Sequence, residues 1–166
     1  MRELSEEQDF DKKVIFVANQ LPEAQKTGVV AVSGGFDPVH AGHIDLFREA
    51  RNLGEELVVI LSSDKLLKEK RGQNFMSQND RATILEALRF VDRVFIDTSD
   101  DNHAAKPLQS ISPDIFANGS DKKGKEVIPD EEYEICEQYD ISMVFDVGGE
   151  KKRSSLELLN NYCSNG

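Results

Sequence analysis

His40 and His43 close the run G-G-F-D-P-V-H-A-G-H from Gly34 to His43, and they are the side chains of this 166-residue chain best suited to chemistry. Two imidazoles three positions apart, directly after a glycine turn, can donate N–H groups to an anion. Zinc is a poor fit, because no cysteine or third histidine is patterned with the pair and the G-G-F-D-P turn would go unexplained. A Ser-His-Asp hydrolase is also a poor fit, since the chain has no G-x-S-x-G elbow. Neither G-x-G-x-x-G nor G-x-x-x-x-G-K-[ST] follows the preceding apolar run. What fits is a helix that starts between the histidines, whose free N–H groups and partial positive charge are ready for a phosphate.

The elements around the pair support that reading. Val29 to Val32 are β-branched or small without alternation, the pattern of a strand covered on both faces. Gly34 and Gly35 let a ligand approach the main chain, and Pro38 ends the strand. From Gly42, the residues Ile44, Leu46, Phe47 and Ala50 recur at helical spacing, with Gly54 as a helix stop. Further strands are predicted at Leu57–Leu61, Asp92–Asp97, Pro113–Ala117 and Ile141–Phe145. Between them lie a basic loop, Lys65 to Gly72, and a helix opened by Ser77 and Asp80. Another helix has Pro129 as its first residue, and a last one carries Leu156, Leu158 and Leu159. Strands and helices alternate, so the expected fold is α/β: a Rossmann-like parallel five-stranded sheet with helices on both faces. Phe10, Val14, Val17, Ala18 and Leu21 form one helical stripe, which predicts an N-terminal helix over Leu4–Leu21. The domain organisation is then an N-terminal helical extension, 1–28, and a catalytic-type domain, 29–166.

Composition narrows the partners. A formal net charge of -11 argues against a nucleic-acid binder, whose affinity rests on basic surface. The first ten residues are charged and lack the apolar core of a signal peptide, and no apolar run reaches membrane-spanning length. A soluble, cytoplasmic protein without membrane partners is expected. Cys136 and Cys163 have no metal or redox spacing and are read as reduced packing residues.

In an open parallel sheet, ligands bind beyond the carboxyl ends of the strands. Gly34 to His43, Asp64 to Gly72, Asn118 to Lys125 and Val147 to Ser155 each follow a strand, so they converge on one rim. Glycines, histidines, basic clusters and a serine-capped helix together suit phosphoryl or nucleotidyl transfer, in which the protein positions reactants and neutralises charge.

On G-G-F-D-P-V-H-A-G-H, N-G-S-D (Asn118–Asp121) and R-S-S-L (Arg153–Leu156), the chain resembles the cytidylyltransferase-like nucleotidyltransferases, a group that includes glycerol-3-phosphate cytidylyltransferase, heptose-phosphate adenylyltransferase and archaeal-type FAD synthetases. The resemblance runs from Val29 to Leu159. It implies transfer of CMP or AMP from CTP or ATP to a phosphorylated polyol or sugar, with release of pyrophosphate. By the same resemblance His40, His43, Lys70, Arg71 and Arg81 are the catalytic set. Gly34, Gly35, Phe36, Asp37, Gly42, Gly119 and Asp121 line the nucleotide pocket, and Ser154 and Ser155 hold the β- and γ-phosphates. The family's closing arginine has no clear counterpart in G-G-E-K-K-R-S-S-L, so Lys151 or Lys152 is expected in its place, and Leu156 replaces the last hydroxyl. Magnesium is implied as a companion of the triphosphate, with no protein ligand named. A homodimer through the N-terminal helix or the sheet edge is a further expectation. The competing reading is a non-catalytic nucleotide-binding regulatory domain of the same fold.

The bland readings are specific too. His40 and His43 would be plain cap residues, Lys65 and Lys68 a solvated helix face, and Arg81 an ordinary surface arginine. His103 would be a loop residue without a role, and Lys122, Lys123 and Lys125 a soluble loop that could touch an acceptor.

Overall fold

A computed structural model describes residues 16–17, 28–122, 124–150 and 153–164. Its strands are β1 (Phe16–Val17), β2 (Val29–Gly34), β3 (Glu56–Ser62), β4 (Arg93–Asp97), β5 (Ile115–Gly119) and β6 (Ser142–Val147). The helices are α1 (Ala41–Arg51), α2 (Asp64–Arg71), α3 (Gln78–Glu86), α4 (Ala105–Ile111), α5 (Asp130–Gln138) and α6 (Ser155–Ser164).

The apolar runs without alternation form the middle of the sheet. Val30, Ala31 and Val32 of β2 are all fully buried, and Leu57 to Leu61 of β3 are buried in one unbroken block. Alternate residues enter opposite layers. Val30 and Val32 join Phe47 and Ala50 of α1 and Leu85 of α3, whereas Ala31 joins Leu108 of α4 and Cys136 of α5. Burying one such side chain as fully as Phe47 contributes about 1.5–3 kcal/mol. A sheet so covered places its remaining backbone polarity at the strand ends, where the site forms.

All pairings are parallel, in the order β1-β6-β5-β2-β3-β4. The chain builds outward from β2 through β3 to β4, then returns to the other side of β2 with β5 and β6. The order reverses between β2 and β5, whose pairing ends at Ala31 and Phe116, and a crevice is expected beyond their carboxyl ends.

The five longer strands match the expected sheet, and three local differences have physical causes. Phe16–Val17 is a strand paired with Val144 and Phe145 of β6, not part of a helix. Phe16 and Val17 close a run, V-I-F-V, of β-branched and aromatic type, and this pair meets the open edge of β6, which outweighs the helical stripe. The rest of the predicted N-terminal helix lies outside the described residues. Lys65 to Arg71 is helix α2, not a loop: Ser63 accepts from the Leu66 N–H, Leu66 and Leu67 are buried, and Gly72 stops it at φ 81. Pro129 is the N-cap of α5 rather than its first turn. Of the cysteines, Cys136 is buried as expected, and Cys163 is exposed. Among the described residues no helix is long and apolar enough to cross a membrane.

Candidate active site

The glycine turn after β2 is built by a ring folded back on it. Phe36 has φ 47 and is 3% exposed, and a Cβ on Gly34 would meet its ring at 2.9 Å. Only glycine fits beneath that ring without displacing it. The same phenyl ring meets His43 edge-on, with centroids 4.9 Å apart, and lies 5.1 Å from Phe47.

His40 is the N-cap of α1, and the two histidines form a reciprocal capping box. Nδ1 of His40 accepts from the Gly42 N–H at 3.1 Å, and Nδ1 of His43 accepts from the His40 N–H at 3.2 Å. The rings stack with centroids 3.7 Å apart. Since Nδ1 accepts in both, each neutral ring carries its proton on Nε2, as a donor. Gly42 leaves room for the His40 ring, which a Cβ there would approach to 3.0 Å and press aside. The two imidazoles are therefore held by backbone N–H groups in one orientation and one tautomer.

Both line a cleft of about 220 Å³ over the crevice between β2 and β5. Gly34, Gly35, Phe36 and Gly42 line it from one side, and Asn118, Gly119 and Asp121 from the β5 turn. The third wall is Val147 to Glu150 with Arg153, Ser154 and Ser155 at the start of α6. Ser154 accepts from the Glu157 N–H at 3.1 Å, and the buried Ser155 donates to Pro38 O at 2.8 Å. That bond ties the N-terminus of α6 to the histidine turn. Gly148, at φ 88, approaches α1 so closely that a Cβ would lie 2.8 Å from the Leu46 backbone. Two helix N-termini, of α1 and α6, thus face one space, a place for anionic oxygens. Lys151 and Lys152 lie outside the described residues, and among those described Arg153 supplies the cation of this wall.

Two residues expected in the site are buried and bonded to the scaffold. Arg81 is fully buried and gives its donors to protein: Nη1 to Gly35 O and Ser62 O, both at 2.8 Å, Nη2 to Asp64 at 2.8 Å, and Nε to Met76 O at 3.2 Å. It is therefore not a surface residue. Asp37 is 1% exposed, and its carboxylate accepts from the N–H groups of Phe75 at 2.6 Å and Met76 at 2.8 Å. Neither lines the cleft.

The basic helix α2 divides as its faces divide. Lys65 pairs with Asp100, and Lys68 is exposed. Arg71 lines the cleft, with Nη1 donating to Asp37 O at 3.4 Å. Partial desolvation pushes the Lys70 ammonium below the ordinary lysine value; Lys122 and Arg71 add to that, and Glu132 and Asp97 oppose it. Two of those groups, Lys122 and Glu132, form a pair that local patterns did not single out. Lys122 lines the cleft, and its Nζ stands 4.0 Å from Oε2 of the buried Glu132. The signal in the chain is weak: a lysine in a polar loop, and one of three acids opening a helix. His103 stays in its loop, its Nδ1 accepting from the Ala105 N–H at 3.4 Å.

Among the described residues no three His, Cys, Asp or Glu side chains are grouped to hold an ion. What the arrangement can do is bind a polyphosphate between two helix N-termini and present two oriented imidazole donors to it.

Comparison with known proteins bears on the family and the fold. The family model described as cytidylyltransferase-like matches residues 31–125. The chain is 37% identical over 131 residues to the bifunctional protein HldE of Campylobacter fetus, a match covering 76% of this chain and 28% of that protein. The chain thus spans little more than a quarter of that relative. It is 38% identical over 103 residues to the FAD synthase of Thermococcus kodakarensis, covering 61% of this chain and 68% of the synthase. Among solved structures it is similar to the lipopolysaccharide core biosynthesis protein from Thermoplasma volcanium, with TM-score 0.63 and 26% identity over 74% of this chain and 98% of that one.

Proposed function

The chain belongs to the cytidylyltransferase-like family, and from that premise we propose that it transfers a nucleotidyl group from a nucleoside triphosphate to a phosphorylated polyol or sugar. An oxygen of the acceptor phosphate attacks the α-phosphorus in line. The new P–O bond forms as the bond to the β-phosphate oxygen breaks, and pyrophosphate leaves with that oxygen's electrons. ATP is the preferred donor over CTP, because FAD synthase relatives are named for a product that contains adenine.

The observation that carries this reading is the pair of fixed imidazoles. Because each Nδ1 is occupied by a backbone N–H, each Nε2–H is a donor whose orientation costs nothing at the moment of reaction. Such a donor is worth on the order of 3 kcal/mol where charge builds in the transition state. The N-termini of α1 and α6, with Arg153, would take the β- and γ-phosphates, and Arg71 would neutralise charge from the other side. Magnesium would come with the triphosphate as part of that substrate and would supply neutralisation of phosphate charge, which suits an ion that needs few protein ligands.

The test is a pyrophosphate-release screen with magnesium, each of the four ribonucleoside triphosphates and a panel of phosphorylated polyols and sugars. Release that requires both substrates, fastest with ATP, is the expected result. Nucleotide binding without pyrophosphate from any pair would make this a non-catalytic nucleotide-binding domain.

A further inference from the structure

Glu132 on α5 is 3% exposed, and its two oxygens are used differently. Oε1 accepts from the Ala104 N–H at 2.7 Å, where the chain enters α4. Among the described residues Oε2 has no hydrogen-bond partner, and it faces the Lys122 ammonium at 4.0 Å. A buried carboxylate with an unbonded oxygen is costly to keep, so its retention calls for a reason beyond capping one helix. A glutamine would cap α4 equally well. The charge itself acts on Lys122, and beyond it on Lys70, which feels both Glu132 and Lys122.

Position gives the charge a purpose. His40, His43 and the start of α6 lie on the α1 side of the cleft, where the triphosphate and its leaving pyrophosphate would sit. Lys122 lines the same cleft next to α4 and α5, across the sheet rim. In-line displacement puts the attacking oxygen opposite the leaving one, so the acceptor must approach from the side that Lys122 occupies. We propose that Glu132 is a positioning residue that holds Lys122 as a specificity-determining contact for the phosphate group of the acceptor. This rests on the nucleotidyl-transfer reading for the identity of that second substrate.

Inorganic phosphate is the probe. It is titrated calorimetrically into the full chain, alone and after saturation with magnesium and the unreactive analogue α,β-methylene-ATP, for wild type, Glu132→Gln, Lys122→Met and the double variant. The expected result is a loss of phosphate affinity of about fivefold or more in each single variant, no further loss in the double, and analogue affinity within about twofold of wild type. Lys122→Arg, tested alongside, should restore most of the phosphate affinity. Should Glu132→Gln fail to fold, the Lys122→Met loss and its Lys122→Arg rescue decide between the outcomes. Wild type that does not bind phosphate, single variants with unchanged affinity, losses that multiply in the double variant, or an equal loss for the analogue would each overturn the assignment. A wild type that releases no pyrophosphate, but whose phosphate affinity falls in the variants as described, would remove the transfer reading and leave the phosphate seat.

Discussion

The two nitrogens of each active-site imidazole have separate duties. Nδ1 accepts from a backbone N–H, which fixes the ring, and in the neutral ring the proton then sits on Nε2, the donor that the proposed reaction assigns to the substrate. Lys70 has a comparable division of influences, and it makes a prediction in pH. Its ammonium is held below the ordinary lysine range, so any substrate contact that needs its charge weakens at lower pH than for an exposed lysine. Glu132 and Asp97 raise its value, whereas Lys122 and Arg71 lower it. Removing the anion in Glu132→Gln should therefore move the alkaline fall of kcat/KM to lower pH, and removing the cation in Lys122→Met should move it higher. Rate profiles from about pH 7 to 10.5 bracket the titration of a lowered lysine. Shifts of the same sign in both variants would show that Lys70 is not the group titrating. At this scale the histidines are legible in the chain because motif, turn and cap are contiguous. Lys122 and Glu132 are not, because their meeting depends on how the β5 turn and α5 pack.

Packing between elements explains why the role of Arg81 is hidden in the sequence. An arginine on a helix opened by Ser77 has the residue type of a phosphate ligand, and nothing in its neighbours reports that it is fully buried. Its donors staple the turn after β2, the end of β3, the start of α2 and the loop before α3. Arg81→Met should then lower stability by about 3 kcal/mol, since buried carbonyls lose their donors; the partly exposed Asp64 adds less. Urea unfolding measures this, and a midpoint equal to wild type would return Arg81 to a binding role. Periodicity serves the long elements well: β2 and β3 read as buried runs, and the Ser77 cap is present, with Ser77 accepting from the Asp80 N–H at 3.1 Å. It fails where two patterns overlap. V-I-F-V near the N-terminus satisfies both a helical stripe and a strand, and an unpaired sheet edge decides for the strand at Phe16–Val17. In Lys65–Arg71 the many charges mask a short helix anchored by Leu66 and Leu67.

At the scale of the molecule, a chain of net charge -11 gathers cations where an anionic substrate would enter. Arg71, Lys122 and Arg153 all line the rim cleft, over the place where strand order reverses. The sheet positions that cleft, and the two helix N-termini and two imidazoles are the features on which the proposed binding of phosphate oxygens rests. The acidic remainder suits a protein that binds small anions locally rather than a phosphate backbone broadly. Centrally, the fixed imidazoles are assigned to stabilising transfer at the α-phosphorus rather than merely binding nucleotide. Turnover of His43→Ala, measured as pyrophosphate release at saturating magnesium–ATP and phosphorylated acceptor with nucleotide affinity followed in parallel, tests this most directly. The kcat is predicted to fall at least about tenfold, a loss of about 1.4 kcal/mol in transition-state stabilisation, while the nucleotide still binds. An unchanged kcat, or a loss confined to nucleotide affinity, would contradict that role.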